Sequence, residues 1–193
     1  MKTFYFVLIL TVISINITMA QEELPYRQIF EIPENYIAGT VAARMVDGLG
    51  FRYYWATEGL RREDLQFRPN DEARTSSETL DHILGLTKVM RNTVMKQPAN
   101  YSAYTEPSTF EEKRKQTLEN IRIASEVLKS STSTDLEEFD IIFGPSVTFP
   151  FWNLINGPIS DALWHVGQVV SFRRSSGNPF NSKVEVLAGT VNE

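Results

Sequence analysis

Asp161, His165, Gln168 and Phe172 are separated by four, three and four residues, a spacing that puts all of them on one stripe of an α-helix. A carboxylate and an imidazole one turn apart can converge on a single ion, the device that paired histidines use in helical metal sites. The chain has two histidines in all, so the position of the other one is informative. His82 falls among the apolar positions of a second helical pattern, with Gly85 one turn away. Glycine at that point leaves room for close approach of another helix or a ligand. Helical bundles build metal sites from inward-facing side chains of neighbouring helices, which makes His82, Asp161 and His165 a candidate ligand set. Each also has an ordinary structural role open to it. His82 fits a core or boundary histidine, Asp161 lies in a first turn where the macrodipole favours a carboxylate, and His165 can bond a backbone carbonyl.

Other chemistries find less support. Cysteine is absent, which removes thiolate ligands, cysteine nucleophiles and disulfides together. The net charge of −5 is spread along the chain and argues against nucleic acid, which rewards basic stripes. Ser77 or Ser160 could join His165 and Asp161 in a hydrolase set, but no nucleophile-turn motif frames either serine. Gln168 can orient a ligand from behind or simply pack. Tyr54, Trp55 and Trp152 can line an apolar pocket or belong to the core. Arg173 and Arg174 suit an anion, or a helix C-terminus that stabilises cations.

Four segments must position these residues. The first runs from about Tyr36 to Leu60, with Ile37, Val41, Met45, Leu49, Tyr53, Ala56 and Leu60 on one face expected to point inward. Gly48 and Gly50 each weaken it by about 1 kcal/mol against alanine. Thr75-Ser76-Ser77-Glu78 is a capping-box pattern that starts a second helix ending near Lys96, ahead of Pro98. Ser108-Thr109-Phe110-Glu111 repeats the pattern before a third helix ending near Lys129. Residues 135–151 read as irregular, with at most a short extended piece at Ile141-Ile142-Phe143. Asn156-Gly157-Pro158 is expected to open the fourth helix, because proline is tolerated in a first turn; Gly177 and Pro179 close it. The expectation is an all-α protein, a four-helix bundle with antiparallel neighbours.

The first twenty residues read as an export signal: Lys2, an apolar stretch from Phe4 to Ile15, and Thr18-Met19-Ala20 as a small-residue cleavage site. Asn16 and Thr18 interrupt the apolar run before the roughly 20 residues a spanning helix needs. Cleavage would leave residues 21–193 as a single domain in the periplasm or outside the cell, with no membrane anchor.

The stretch Asn156-Gly-Pro-Ile-Ser-Asp161-Ala-Leu-Trp-His165-Val-Gly-Gln168, continuing to Arg174, resembles the last core helix of the DinB-like (DinB/YfiT) superfamily. The order of elements agrees with that family from about Tyr36 to Pro179. The resemblance implies a bundle of up-down-down-up topology and a divalent ion, often nickel or zinc, held by three histidines. His82 matches the second-helix ligand, and His165 with Gly167-Gln168 matches the final one. Asp161 stands where the family usually has histidine. It keeps a ligand but adds a charge, which shifts preference away from nickel and towards harder ions; two histidines with one carboxylate also suit iron or zinc. The resemblance further implies a metal-dependent hydrolase or transferase of an unknown small-molecule substrate, often a homodimer. The competing expectation is a bundle that has lost its metal and serves as a binding or interaction protein.

Overall fold

Capping, proline placement and apolar spacing divide the chain into α1 (Ala38–Thr57), α2 (Arg62–Gln66), α3 (Ser76–Val94), α4 (Phe110–Lys129), α5 (Ser133–Glu137), α6 (Phe151–Leu154) and α7 (Ser160–Ser175). Two hairpins of two-residue strands, β1–β2 (Ile141–Ile142 with Thr148–Phe149) and β3–β4 (Val184–Glu185 with Thr190–Val191), complete the set. The computed structural model describes residues 23–29, 31–99 and 109–192; the expected export signal, residues 1–20, lies outside them. Among the described residues, no helix is long and apolar enough to cross a membrane.

The first capping box forms as its sequence requires, and the second forms one residue later than the expected Ser108–Glu111 pattern, between Thr109 and Glu112. Thr75 Oγ1 accepts from the Glu78 N–H at 3.1 Å while Glu78 Oε2 accepts from the Thr75 N–H at 2.8 Å. Thr109 and Glu112 do the same at 3.2 and 3.0 Å, so the N-termini of α3 and α4 leave fewer donors unpaired. Gly59, at φ +68° just past the end of α1, adopts the left-handed conformation that stops a helix cheaply only with glycine.

Helix α1 packs on α4 and α7, and α3 packs on the same two helices. The shared core takes Ala43, Val46, Leu49 and Tyr53 from α1, Leu80, Ile83 and Met90 from α3, and Leu118, Ile121 and Leu128 from α4. Polar contacts fix which ends meet. Arg114, near the start of α4, donates to Thr57 Oγ1 at the end of α1, and Lys113 pairs with Asp81 near the start of α3. Arg173, near the end of α7, also reaches the end of α1. At the other end of α1, a Cβ on Gly39 would run into the backbone carbonyls of Leu128 and Ser131, which is why the first turn of α1 can lie close against the end of α4.

Three expectations need correction. Ile37 and Val41 do not face inward; each is nearly half exposed, because the first turns of α1 are flanked by α5 and α6 across an open groove. Residues 141–149 form a small hairpin where no sheet was expected. The last long helix opens at Phe151 behind Pro150, not at Asn156, and Asn156-Gly157-Pro158 lie inside a π-helical turn spanning Ile155–Ile159.

That turn has a reason in the core. Phe151, Leu154, Ile159, Ala162, Val166 and Val169 are all buried. Their steps are three, five, three, four and three residues. At about 100° per residue, a step of five would swing Ile159 well off the face set by Leu154. A π-turn takes up one extra residue, so both halves of the helix keep their apolar side on one core. Proline is tolerated there because the local ladder is already broken.

Candidate metal centre

The turn that aligns the core also sets the aim of Asp161, the second residue of α7. Asp161 and His165 are one turn apart on the side of α7 that faces α3, with Gln168 a further turn along. His82, in the second turn of α3, faces them. Asp161 Oδ2 lies 3.2 Å from His82 Nε2, and Asp161 Oδ1 lies 3.2 Å from His165 Nε2. The imidazoles meet edge to face, with ring centroids 4.7 Å apart. One ligand atom from each of the three residues falls within 4.8 Å of the others. The three positions read from the sequence as ligands therefore converge.

His165 Nδ1 lies 2.7 Å from Gln168 Oε1. A carbonyl oxygen can only accept, so this contact places the proton of a neutral imidazole on Nδ1. The other nitrogen, Nε2, then presents a lone pair to a carboxylate oxygen that also presents lone pairs. Two acceptors at 3.2 Å attract only when positive charge sits between them or on the ring. A proton on the ring or a metal ion among the three side chains would supply that charge. Ligands bound at about 2.0–2.1 Å in tetrahedral geometry stand roughly 3.3 Å apart; the two 3.2 Å separations run to different oxygens of Asp161, and with one atom from each residue the set spans up to 4.8 Å. The donor set is close enough to hold a divalent ion.

The side chains of His82 and Asp161 are 34% and 37% exposed, whereas that of His165 is 14% exposed. A half-open site leaves coordination positions reachable from solvent. Phe172, the last member of the stripe, stacks against Phe67 with centroids 5.8 Å apart and takes no part in the cluster. Ser160 Oγ donates to the Ile155 carbonyl inside the π-turn, so its hydroxyl is committed to the backbone. Trp55 is buried and donates its indole N–H to the Arg27 carbonyl. Tyr54 lies under the Arg114 guanidinium, 4.7 Å from ring centroid to cation. Trp152 lines the apolar groove of about 610 Å³ along α1, and none of the three ligands lines it.

Sequence reasoning missed a second charged cluster. Asp47, on the buried side of α1, accepts from Ser125 Oγ at 2.5 Å and from Tyr26 Oη at 3.1 Å, with Lys129 Nζ at 3.4 Å. Burial, followed by the Asp47 charge, pushes the Tyr26 phenol well above its ordinary range. Burial likewise pushes the fully enclosed Tyr53 phenol up to about 12. An aspartate on the apolar side of α1 was the available signal, since a charge there needs partners.

No family model matches this chain, and no curated protein or solved structure matches it significantly.

Proposed function

We propose that this chain is an exported, DinB-like four-helix-bundle protein that binds one divalent ion through His82 Nε2, Asp161 and His165 Nε2. The observation that carries the reading is the convergence of His82, Asp161 and His165, one ligand atom from each lying within 4.8 Å of the others. The bundle reading is supported by the grouping of helix ends: the ends of α1 and α7 lie with the starts of α3 and α4, as an up-down-down-up order would have them. The carboxylate favours zinc or iron over nickel. When bound, the ion would polarise a coordinated water or a substrate oxygen. The chain's own residues hold and orient it: Asp161 offers its charge to both imidazoles, and the exposed edges of His82 and Asp161 admit a small molecule. That arrangement would suit a metal-dependent hydrolase or transferase of a small-molecule substrate, the activity the DinB-like resemblance implies.

A second reading, a metal-binding or interaction protein without catalysis, has one observation in its favour. The apolar grooves of about 610 and 490 Å³ run along α1 and are lined by none of the three candidate ligands. Elemental analysis of protein purified without chelator, before and after reloading, tests the shared claim. About one equivalent of zinc or iron is expected; under about a tenth of an equivalent of any transition metal ends it. Turnover of ester, amide or thiol-conjugate substrates by the loaded protein then separates the enzyme from the binding protein.

A further inference from the structure

Gln168 and His165 are one turn apart on α7, and their contact is short: 2.7 Å against about 2.9–3.0 Å for an ordinary N–H···O bond. Both partners belong to the same helix, so the bond can form without the ion and without α3. It also opposes a solution preference, since a neutral histidine in water carries its proton mainly on Nε2. A ring protonated there would point an N–H at the ion and could not ligate through that atom. His82 differs: among the described residues its Nδ1 has no hydrogen-bond partner, and its Nε2 meets Asp161 Oδ2 at 3.2 Å, a contact that an ordinary N–H···O bond satisfies. His165 is therefore held from behind at Nδ1, whereas the only polar contact of His82 among the described residues is at Nε2.

The geometry points to Gln168 as the positioning residue of the site: by accepting the Nδ1 proton it holds His165 in the tautomer whose Nε2 lone pair faces Asp161 and the ion. This inference rests on the metal-site reading for its consequence, but not for the tautomer itself. Outer partners of this kind govern ligand orientation and basicity, and their loss typically costs about 10–100-fold in metal affinity.

The test compares wild type with Gln168→Leu, which keeps the bulk and removes the acceptor, and with Gln168→Glu, which keeps an acceptor. Long-range proton–nitrogen NMR on metal-free protein at about pH 8, above the ordinary imidazole range, reads the tautomer. Competition with a chromophoric chelator reads Zn²⁺ affinity. Wild type and Gln168→Glu are expected to carry the His165 proton on Nδ1. Gln168→Leu is expected to move it largely to Nε2 and to bind Zn²⁺ about 10–100-fold more weakly. A residue that only packed would leave the nitrogen shifts unmoved. An Nδ1 proton that persists in Gln168→Leu, or a Zn²⁺ affinity equal to wild type, overturns the assignment. A wild type that binds no Zn²⁺ instead defeats the metal reading, and the tautomer on metal-free protein tells the two failures apart.

Discussion

Helix α7 carries a polar cluster near each end, and the two are built on opposite principles. Near its C-terminus, Arg173 is 4% exposed. Its Nη1 donates to the carbonyls of Trp55, Ala56 and Glu58 at 3.0–3.1 Å, and its Nε and Nη2 bond Asn178. Asp64, fully buried beside it, accepts from Arg61, Ser176 and Asn178. Donors there meet acceptors throughout. Near the N-terminal end, His82 and His165 converge on the one carboxylate of Asp161 in a place solvent can reach. A buried network with its donors and acceptors paired stabilises and specifies packing, whereas two imidazoles converging on one half-exposed carboxylate are arranged so that a cation could bind among them.

The sharpest way to probe that contrast is to break the satisfied end. Arg173→Met leaves the last carbonyls of α1 without their donor and should cost about 3–5 kcal/mol in urea unfolding, while Zn²⁺ stoichiometry stays at wild type. A cost under about 1 kcal/mol would mean that the cluster is not the clamp described.

Asp64→Asn should cost about 2–3 kcal/mol at neutral pH and should also change the pH dependence. Hydrogen bonds from the Arg61 guanidinium, then from Ser176, the Arg61 backbone and Asn178, hold the Asp64 carboxyl well below the usual carboxylate range. A depressed folded value contributes stability that is complete above the unfolded value of about 4 and is lost as pH falls towards the folded one. Wild type should therefore lose stability below about pH 4 more steeply than Asp64→Asn. Parallel acid limbs in the two proteins would contradict this.

The N-terminal cluster should respond to the ion instead. Zn²⁺ at a hundred times its dissociation constant should stabilise wild type by about 2.7 kcal/mol. His165→Ala should gain nothing, and its metal-free stability should fall far less than that of Arg173→Met. Trp164, on the exposed side of α7 next to His165 and 71% exposed, gives the smallest effect. Trp164→Ala should stay within about 0.5 kcal/mol of wild type by urea unfolding; a larger loss would show that this face is covered.

Local signals in the sequence carried the middle of the chain well. Thr75 with Glu78 encodes a helix start in four residues, and α3 begins where that pattern puts it; at α4 the expected Ser108–Glu111 pattern was one residue early, because Thr109 and Glu112 have the same spacing and form the box. The convergence of His82, Asp161 and His165 was legible because scarcity did the selecting: two histidines, one of them a turn from Asp161, left few combinations. What failed depends on distant partners. Ile37 and Val41 have the spacing of core residues, but whether an apolar stripe is covered depends on how far α5 and α6 extend over it. Pro158 reads as a helix start when only local rules are weighed, whereas the five-residue step from Leu154 to Ile159 required knowing which residues the core would claim. Arg173 read as a charge at a helix end; its role needs the carbonyls of a helix more than a hundred residues earlier in the chain.

Anomalous diffraction at the zinc edge, from crystals of the reloaded protein, tests the ligand set most directly. The expected result is one peak about 2.0–2.2 Å from His82 Nε2, His165 Nε2 and an Asp161 oxygen, with Gln168 still bonded to His165 Nδ1. A peak elsewhere, or none with Asp161 simply hydrogen-bonded between two protonated imidazoles, would contradict it.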